Sequence, residues 1–313
     1  MDRLSYYASR RIPFLFVIDY GQKEVFVEPV ANLHNIFFKV PGVRNYTLPP
    51  KTYPKILKKE PVSFERYSAA FLEVQRQIRK GNTYLLNLTF PTPIQTDADL
   101  LALFYTTKAK FKLYFKDRFI CFSPERFVKI HGDEISTYPM KGTIDAAVAN
   151  AKERILRDEK EMAEHTMVVD LLRNDLNMVA TQTRVRRFRY VDEIVAGKKR
   201  LLQVSSEIGA KLPKDWRENL TDIFAKLLPA GSVTGTPKRS TCEIIERVEG
   251  YDRGFYTGVF GYFDGENLDS AVMIRFIEKS PKGLVYKSGG GITADSDLHK
   301  EYQELIDKIY LPL

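Results

Sequence analysis

Only two of the 313 residues are cysteine, Cys121 and Cys242, and two thiols cannot build a disulfide framework. Their scarcity suits a reducing compartment, so a cytoplasmic protein with both cysteines as packing residues is expected. Long hydrophobic runs are missing as well. The stretch R-I-P-F-L-F-V-I-D-Y near the N-terminus stops at Asp19 after a handful of apolar residues. That is too short for a secretory core or a membrane span, and it reads as a buried strand. The four histidines, His34, His131, His165 and His299, are scattered, and no Cys/His spacing matches a zinc site. No G-x-S-x-G elbow and no G-x-x-x-x-G-K-[ST] phosphate loop occurs. Internal repeats, low-complexity tracts and Gly/Ser linkers are lacking too, so one domain over 1–313 is expected.

What is present is an ordinary globular balance, 44% hydrophobic and 28% charged, which is enough to bury a sizeable core. The net charge of +8 raises nucleic-acid binding as a rival reading. Its densest stretches are R-V-R-R-F-R-Y (Arg184 to Tyr190) and K-K-R (Lys198 to Arg200). The first alternates partly like a strand with one polar face, and charge alone speaks to solubility or to attraction of a small anion. No nucleic-acid partner is expected.

The first 55 residues carry short runs broken by Pro and Gly, consistent with antiparallel strands. Ser63 to Lys80 has helical spacing, with Phe64, Tyr67, Phe71, Val74 and Ile78 on one stripe. The runs T-Y-L-L-N-L-T-F, K-F-K-L-Y-F-K, R-F-I-C-F and R-F-V-K-I-H then read as strands. After Lys141 the pattern turns helical, with a helix from about Glu159 to Asn174. Helices are also expected over Asn219–Leu228, Lys238–Arg247 and from about Asp297. Strand meanders with helices between them argue for an α+β fold.

Four stretches could carry chemistry. In S-P-E-R, Glu125 follows an apolar strand; it is a turn residue, a salt-bridge partner or a proton-transfer group. E-x-x-E occurs on two helices, as Glu161/Glu164 and Glu301/Glu304, with Lys308 one turn further. Such pairs are surface charge or, jointly, oxygen ligands for a hard dication such as Mg²⁺. P-A-G-S-V-T-G-T-P-K (Pro229 to Lys238) runs into a helix and could offer backbone N–H groups to an anion. S-G-G-G-I-T-A-D-S (Ser288 to Ser296) is a flexible loop or a place where a ligand meets bare backbone.

In order and spacing these stretches resemble the chorismate-utilising enzymes, the family that includes anthranilate synthase component I and aminodeoxychorismate synthase component I. The matching segments are S-P-E-R-F, P-M-K-G-T, A-E-H-T-M-V-V-D-L-L-R-N-D-L, P-A-G-S-V-T-G-T-P-K, Y-T-G-V-F-G-Y-F, V-M-I-R and G-G-G-I-T-A-D-S-D-x-x-x-E-Y-Q-E, spanning Ser123 to Lys308. The weaker G-N-T-Y-L-L-N-L-T extends the likeness to Gly81. The resemblance implies two large stacked antiparallel sheets flanked by helices. It also implies Mg²⁺ held by Glu164 and Glu304, with Glu161 and Glu301 acting directly or through water. Substrate carboxylates would meet Gly142, Thr143, Ser232, Tyr256, Arg275, Lys308 and the backbone of Gly289, Gly290 and Gly291.

Within that family the P-M-K-G-T turn selects the branch. Anthranilate-forming members carry alanine where Lys141 stands, and aminodeoxychorismate synthases carry lysine. The resemblance therefore implies that Lys141 adds to C2 of chorismate as the 4-hydroxyl leaves, with Glu125 transferring the proton; ammonia then adds at C4 and expels the lysine from C2. The product would be 4-amino-4-deoxychorismate, on the route to 4-aminobenzoate and folate. Anthranilate and isochorismate or salicylate formation are the alternatives. Desolvation and the cations Mg²⁺, Lys308 and Arg275 are expected to lower the Lys141 pKa, with Glu125 opposing them. The chain departs from anthranilate-type members at Gln203, which stands where they carry histidine. The region before Phe64 is shorter than in long family members, and no L-L-E-S segment suggests tryptophan inhibition. No glutaminase sequence is present, so ammonia is expected free or from a separate glutamine amidotransferase.

Overall fold

In a computed structural model, described over residues 1–47, 54–196 and 199–312, the strands form two nine-stranded antiparallel sheets. The first runs in the order Met140–Asp145, Lys199–Lys211, Glu134–Thr137, Arg126–His131, Leu268–Val272, Val259–Phe263, Phe14–Ile18 and Val25–Pro29; Thr181–Ala196 pairs with Lys199–Lys211. The second runs Gly235–Thr236, Leu85–Thr96, Gly283–Ile292, Phe276–Ser280, Phe119–Ser123, Phe111–Phe115, Ile36–Val40 and Val43–Arg44, with Ile56–Lys59 on Leu85–Thr96. The expected α+β class with two stacked antiparallel sheets is what the chain adopts.

The strand Phe14–Ile18 shows why the sheets stack. All five residues are buried, so it has no polar face. Leu15 and Val17 pack with Phe38, Phe115, Phe119 and Phe260 between the sheets, whereas Phe14, Phe16 and Ile18 pack beneath helices on the outer side with Phe224 and Leu176. Side chains alternate across a strand, so covering both faces requires a second sheet on one side and helices on the other. Each large apolar side chain so buried contributes roughly 1.5–3 kcal/mol.

The helices begin where the sequence supplies caps. Ser63 Oγ accepts the Arg66 N–H at the head of Phe64–Arg79. Asp158 accepts the Glu161 N–H at the head of Glu159–Asn177, and Asp297 accepts those of His299 and Lys300 at the head of Leu298–Asp307. Leu220–Leu227 and Lys238–Glu249 also lie near their expected positions.

Several expectations are corrected. Residues Arg3–Ser9 and Leu100–Thr106 are helices where strands or nothing regular were read. Lys141 is followed by strand to Asp145 before helix begins at Ala151. Gly289 to Gly291 lie inside the strand Gly283–Ile292, not in a loop. A Cβ at Gly289 would fall 2.4 Å from the Leu88 carbonyl oxygen, so the glycine permits strand contact rather than loop mobility. The basic stretch Arg184 to Tyr190 is strand as expected, but its arginines divide. Arg186 pairs with Glu134 and Glu207, while Arg189 is buried on the Ile155 and Leu156 carbonyls. Lys198 lies outside the described residues. Both cysteines are free thiols. Among the described residues no helix is long and apolar enough to cross a membrane.

Candidate active site

The chain crosses between the two sheets at S-P-E-R and again at V-M-I-R. Ser123 ends a strand of one sheet and Arg126 begins a strand of the other; Val272 and Phe276 do the same in reverse. The two crossings are tied to each other, with Val272 N–H donating to the Glu125 carbonyl at 3.2 Å and Phe122 N–H to the Arg275 carbonyl at 3.1 Å. Arg275 sits at φ +52°, an uncommon conformation for a side-chain-bearing residue. This seam brings Glu125 and Arg275 together from 150 positions apart.

Glu125 is enclosed there. Its Oε1 accepts the Ser232 hydroxyl at 2.5 Å, from the turn Gly231–Val233. Burial raises the Glu125 pKa, against the pull of that hydrogen bond and of Lys308 and Arg275, which keeps a proton available above the usual carboxylate range. Tyr256 is buried within the field of Arg275 and Glu125. The Arg275 Nε is buried without a hydrogen-bond partner, a donor aimed at nothing in the protein.

The four carboxylates come from the first two turns of two capped helices, where the helix dipole favours negative charge. Glu164 Oε2 meets Lys141 Nζ at 2.7 Å, and Glu304 Oε1 meets Lys308 Nζ at 2.6 Å. Lys308 also donates to the Gly289 carbonyl at 2.8 Å. Glu301 Oε1 accepts from Ser296 Oγ at 2.8 Å, and Glu161 Oε2 is buried with no partner. Lys141 lies in the field of Glu164, Glu304 and Glu161, and Glu301 in that of Glu304, Lys141 and Glu164, so the two helices face one another across the lysine. Burial raises the Glu161 and Glu301 pKa values. Burial also works to raise that of Glu304, but Lys308 outweighs it and the net shift is down.

The Lys141 amine departs from expectation. Burial acts to lower its pKa, as anticipated, but Glu164 raises it by charge and hydrogen bond, and the net shift from the protein's own groups is upward. The opposing carboxylate is Glu164 rather than Glu125, which faces Ser232, Lys308 and Arg275. Lys308 shows the reverse balance, with burial winning and its pKa lowered.

Whether these residues suit a magnesium ion can be judged from their oxygens. Among the described residues no three His, Cys, Asp or Glu side chains converge closely enough to hold a metal ion. Nevertheless the donor set is all carboxylate, and the partnerless Glu161 Oε2 is an acceptor without a donor. Gly290 leaves a hollow where a Cβ would sit 3.5 Å from both Glu301 Oε2 and Glu304 Oε1. A hard dication fits that chemistry, provided Lys141 leaves Glu164.

One predicted position lies apart from this cluster. Thr143 is exposed and its hydroxyl donates to Gln203 Oε1 at 3.0 Å. Lys238, at the end of the glycine-rich stretch, is engaged by Asp175 at 3.0 Å and the Leu227 carbonyl at 2.9 Å, so it is not free for an anion. Gly142, by contrast, adjoins Glu161, with a Cβ position 3.0 Å from its Oε2. His165, passed over as scattered, is fully buried beside the Lys141 carbonyl, and burial lowers its pKa to about 4. Its place one residue after Glu164 was the only signal for it.

Comparison with known proteins gives the family. The family model described as chorismate binding enzyme matches residues 23–313. The chain is 46% identical over 315 residues to an uncharacterized PabA-like protein of Haemophilus influenzae, covering 100% of this chain and 96% of that protein. It is 34% identical to anthranilate synthase component 1 of Archaeoglobus fulgidus, over 79% of this chain and 61% of that one. It is 32% identical to aminodeoxychorismate synthase component 1 of Klebsiella aerogenes, over 79% of this chain and 57% of that one. Among solved structures, the menaquinone-specific isochorismate synthase MenF of Escherichia coli superposes with a TM-score of 0.75 at 15% identity, covering 97% of this chain and 78% of that one. The chain belongs to the chorismate binding enzyme family.

Proposed function

We propose that the protein converts chorismate and ammonia to 4-amino-4-deoxychorismate, the precursor of 4-aminobenzoate for folate synthesis. The observation that carries the reading is Lys141, an amine held among the carboxylates of two helices where a family member lacking it would leave C2 of chorismate open to ammonia. After giving up a proton, its nitrogen bonds to C2 as the ring double bonds shift and the C4–oxygen bond breaks. Glu125, whose pKa burial raises, supplies the proton with which the hydroxyl leaves as water. Ammonia then bonds to C4, the double bonds shift back, and the lysine amine is released.

Arg275 and Lys308 would face the substrate's carboxylates, with Tyr256, Ser232 and the backbone of Gly142 and Gly289 to Gly291 fixing its orientation. Glu164 and Glu304, assisted by Glu161 and Glu301, would hold Mg²⁺, which when bound supplies positive charge to the ring carboxylate. Thr143 is reserved for its hydrogen bond to Gln203. Ammonia would come from a separate glutamine amidotransferase or from solution, and the two free cysteines suit work in the cytoplasm.

Incubation with chorismate, Mg²⁺ and ammonia, followed by product identification, tests the reading. Aminodeoxychorismate is expected; fluorescent anthranilate, or isochorismate, would overturn it.

A further inference from the structure

The strand Met140–Asp145 carries one residue too many. Met140 pairs with Ser205 and Thr143 with Gln203, so Lys141 and Gly142 together oppose the single residue Val204. Such a bulge re-aims the side chains it contains and breaks the backbone ladder locally. Gly142 accommodates it at φ +93°. A bulge of this kind persists only where something else holds the freed backbone groups.

Side chains do so here, from two sides. The Gln203 amide closes on the turn with both its ends: Nε2 donates to the Gly142 carbonyl at 2.9 Å, and Oε1 accepts the Thr143 hydroxyl at 3.0 Å. On the helix side, His165 Nδ1 lies 3.4 Å from the Lys141 carbonyl, and its Nε2 is 2.7 Å from Ser206 Oγ. Ser206 Oγ also accepts the Arg189 N–H at 2.9 Å, and the Lys141 carbonyl facing the other ring nitrogen can only accept. Nδ1 is then the N–H that points to the Lys141 carbonyl.

We propose that Gln203 is a positioning residue for Lys141, seconded by His165: it locks the bulge that turns the lysine toward Glu164. This rests on the reading of Lys141 as nucleophile and adds to it the group that keeps the nucleophile in line.

The test compares wild type with Gln203→Met, which keeps length and loses both hydrogen bonds, and Gln203→Glu, which keeps an acceptor for Thr143 but turns an oxygen on the Gly142 carbonyl. Hydrogen exchange of the peptide spanning 139–145, thermal midpoint, and kcat and KM for chorismate are measured on each. Expected in both variants are exchange at least about tenfold faster in that peptide only, kcat lowered about tenfold or more, and KM and midpoint little changed. Here tenfold in rate corresponds to 1.36 kcal/mol of barrier. Unchanged local exchange, unchanged kcat, or a kcat loss that merely follows a global fall in midpoint would each overturn the proposal. Should wild type form another product from chorismate, the functional reading falls, while the exchange result still decides whether Gln203 holds the bulge.

Discussion

Glu249→Ala puts the scaffold behind the site to a quantitative test. The Glu249 and Arg253 side chains are each 1% exposed, joined by two bonds of 2.8 and 2.6 Å. Glu249 Oε1 also accepts the Thr89 N–H at 2.8 Å and its hydroxyl at 2.9 Å. Arg253 in turn donates to the carbonyls of Val233 at 2.8 Å and Asn87 at 2.6 Å, fastening the turn that carries Ser232. Removing the carboxylate leaves a guanidinium buried without counter-charge, which costs about 3–5 kcal/mol. The orphaned Thr89 N–H adds about 1–3 kcal/mol, and the two losses share atoms, so roughly 4–6 kcal/mol is expected. Unfolding entropy near 60 °C is about 2.1 cal/mol/K per residue, or about 0.66 kcal/mol/K for a chain of 313. The thermal midpoint should therefore fall by about 6–9 °C in a scanning calorimeter. Glu249→Gln, which retains an acceptor for Thr89, should lose less. As a control, Glu73→Ala, whose Arg76 partner lies in solvent, should barely move it. A fall of under about 2 °C for Glu249→Ala would refute the claim that this pair is desolvated and without replacement.

Other outcomes follow from the site. Lys141→Arg retains a cation for Glu164 but not an amine that attacks carbon, so the midpoint should hold while aminodeoxychorismate formation drops to background; an active arginine variant would exclude an obligatory nucleophile. Because burial raises the Glu125 pKa, its acid form persists above the ordinary carboxylate range, and kcat should fall as pH rises through that raised value. Glu125→Gln should lower kcat and erase that limb of the profile. By the same sign, the protonated group favours the fold most at low pH, and this contribution is lost as pH climbs from the ordinary carboxylate value through the raised one. Glu164→Ala and Glu304→Ala should each weaken magnesium binding in calorimetry along with activity; unchanged binding would move the metal elsewhere. Gly289→Ala should fold poorly because its Cβ meets the Leu88 carbonyl at 2.4 Å, whereas Gly290→Ala, with nothing nearer than 3.5 Å, should fold and lose ligand affinity.

Much of the architecture was legible in the residues. Ser63, Asp158 and Asp297 mark helix starts because a side-chain acceptor before an apolar period is a local signal. The strand F-L-F-V-I was legible as buried, but which face met a sheet and which met helices was not, since both faces are equally apolar. The helix Leu100–Thr106 is only seven residues long, too short for its period to stand out.

By itself the sequence determined the class of fold, the two E-x-x-E helices, and a lysine followed by glycine in the matching motif, because caps, periodicity and motif order are properties of neighbouring residues. Only the tertiary structure decided that Glu125 and Arg275 share a seam between sheets and that Glu164, not Glu125, is the carboxylate paired with Lys141. It also put Gly289 in a strand and Gln203 on the lysine's bulge. Each of those facts depends on which distant residues lie within a few ångströms, and burial and Coulomb interactions act over that distance rather than along the chain.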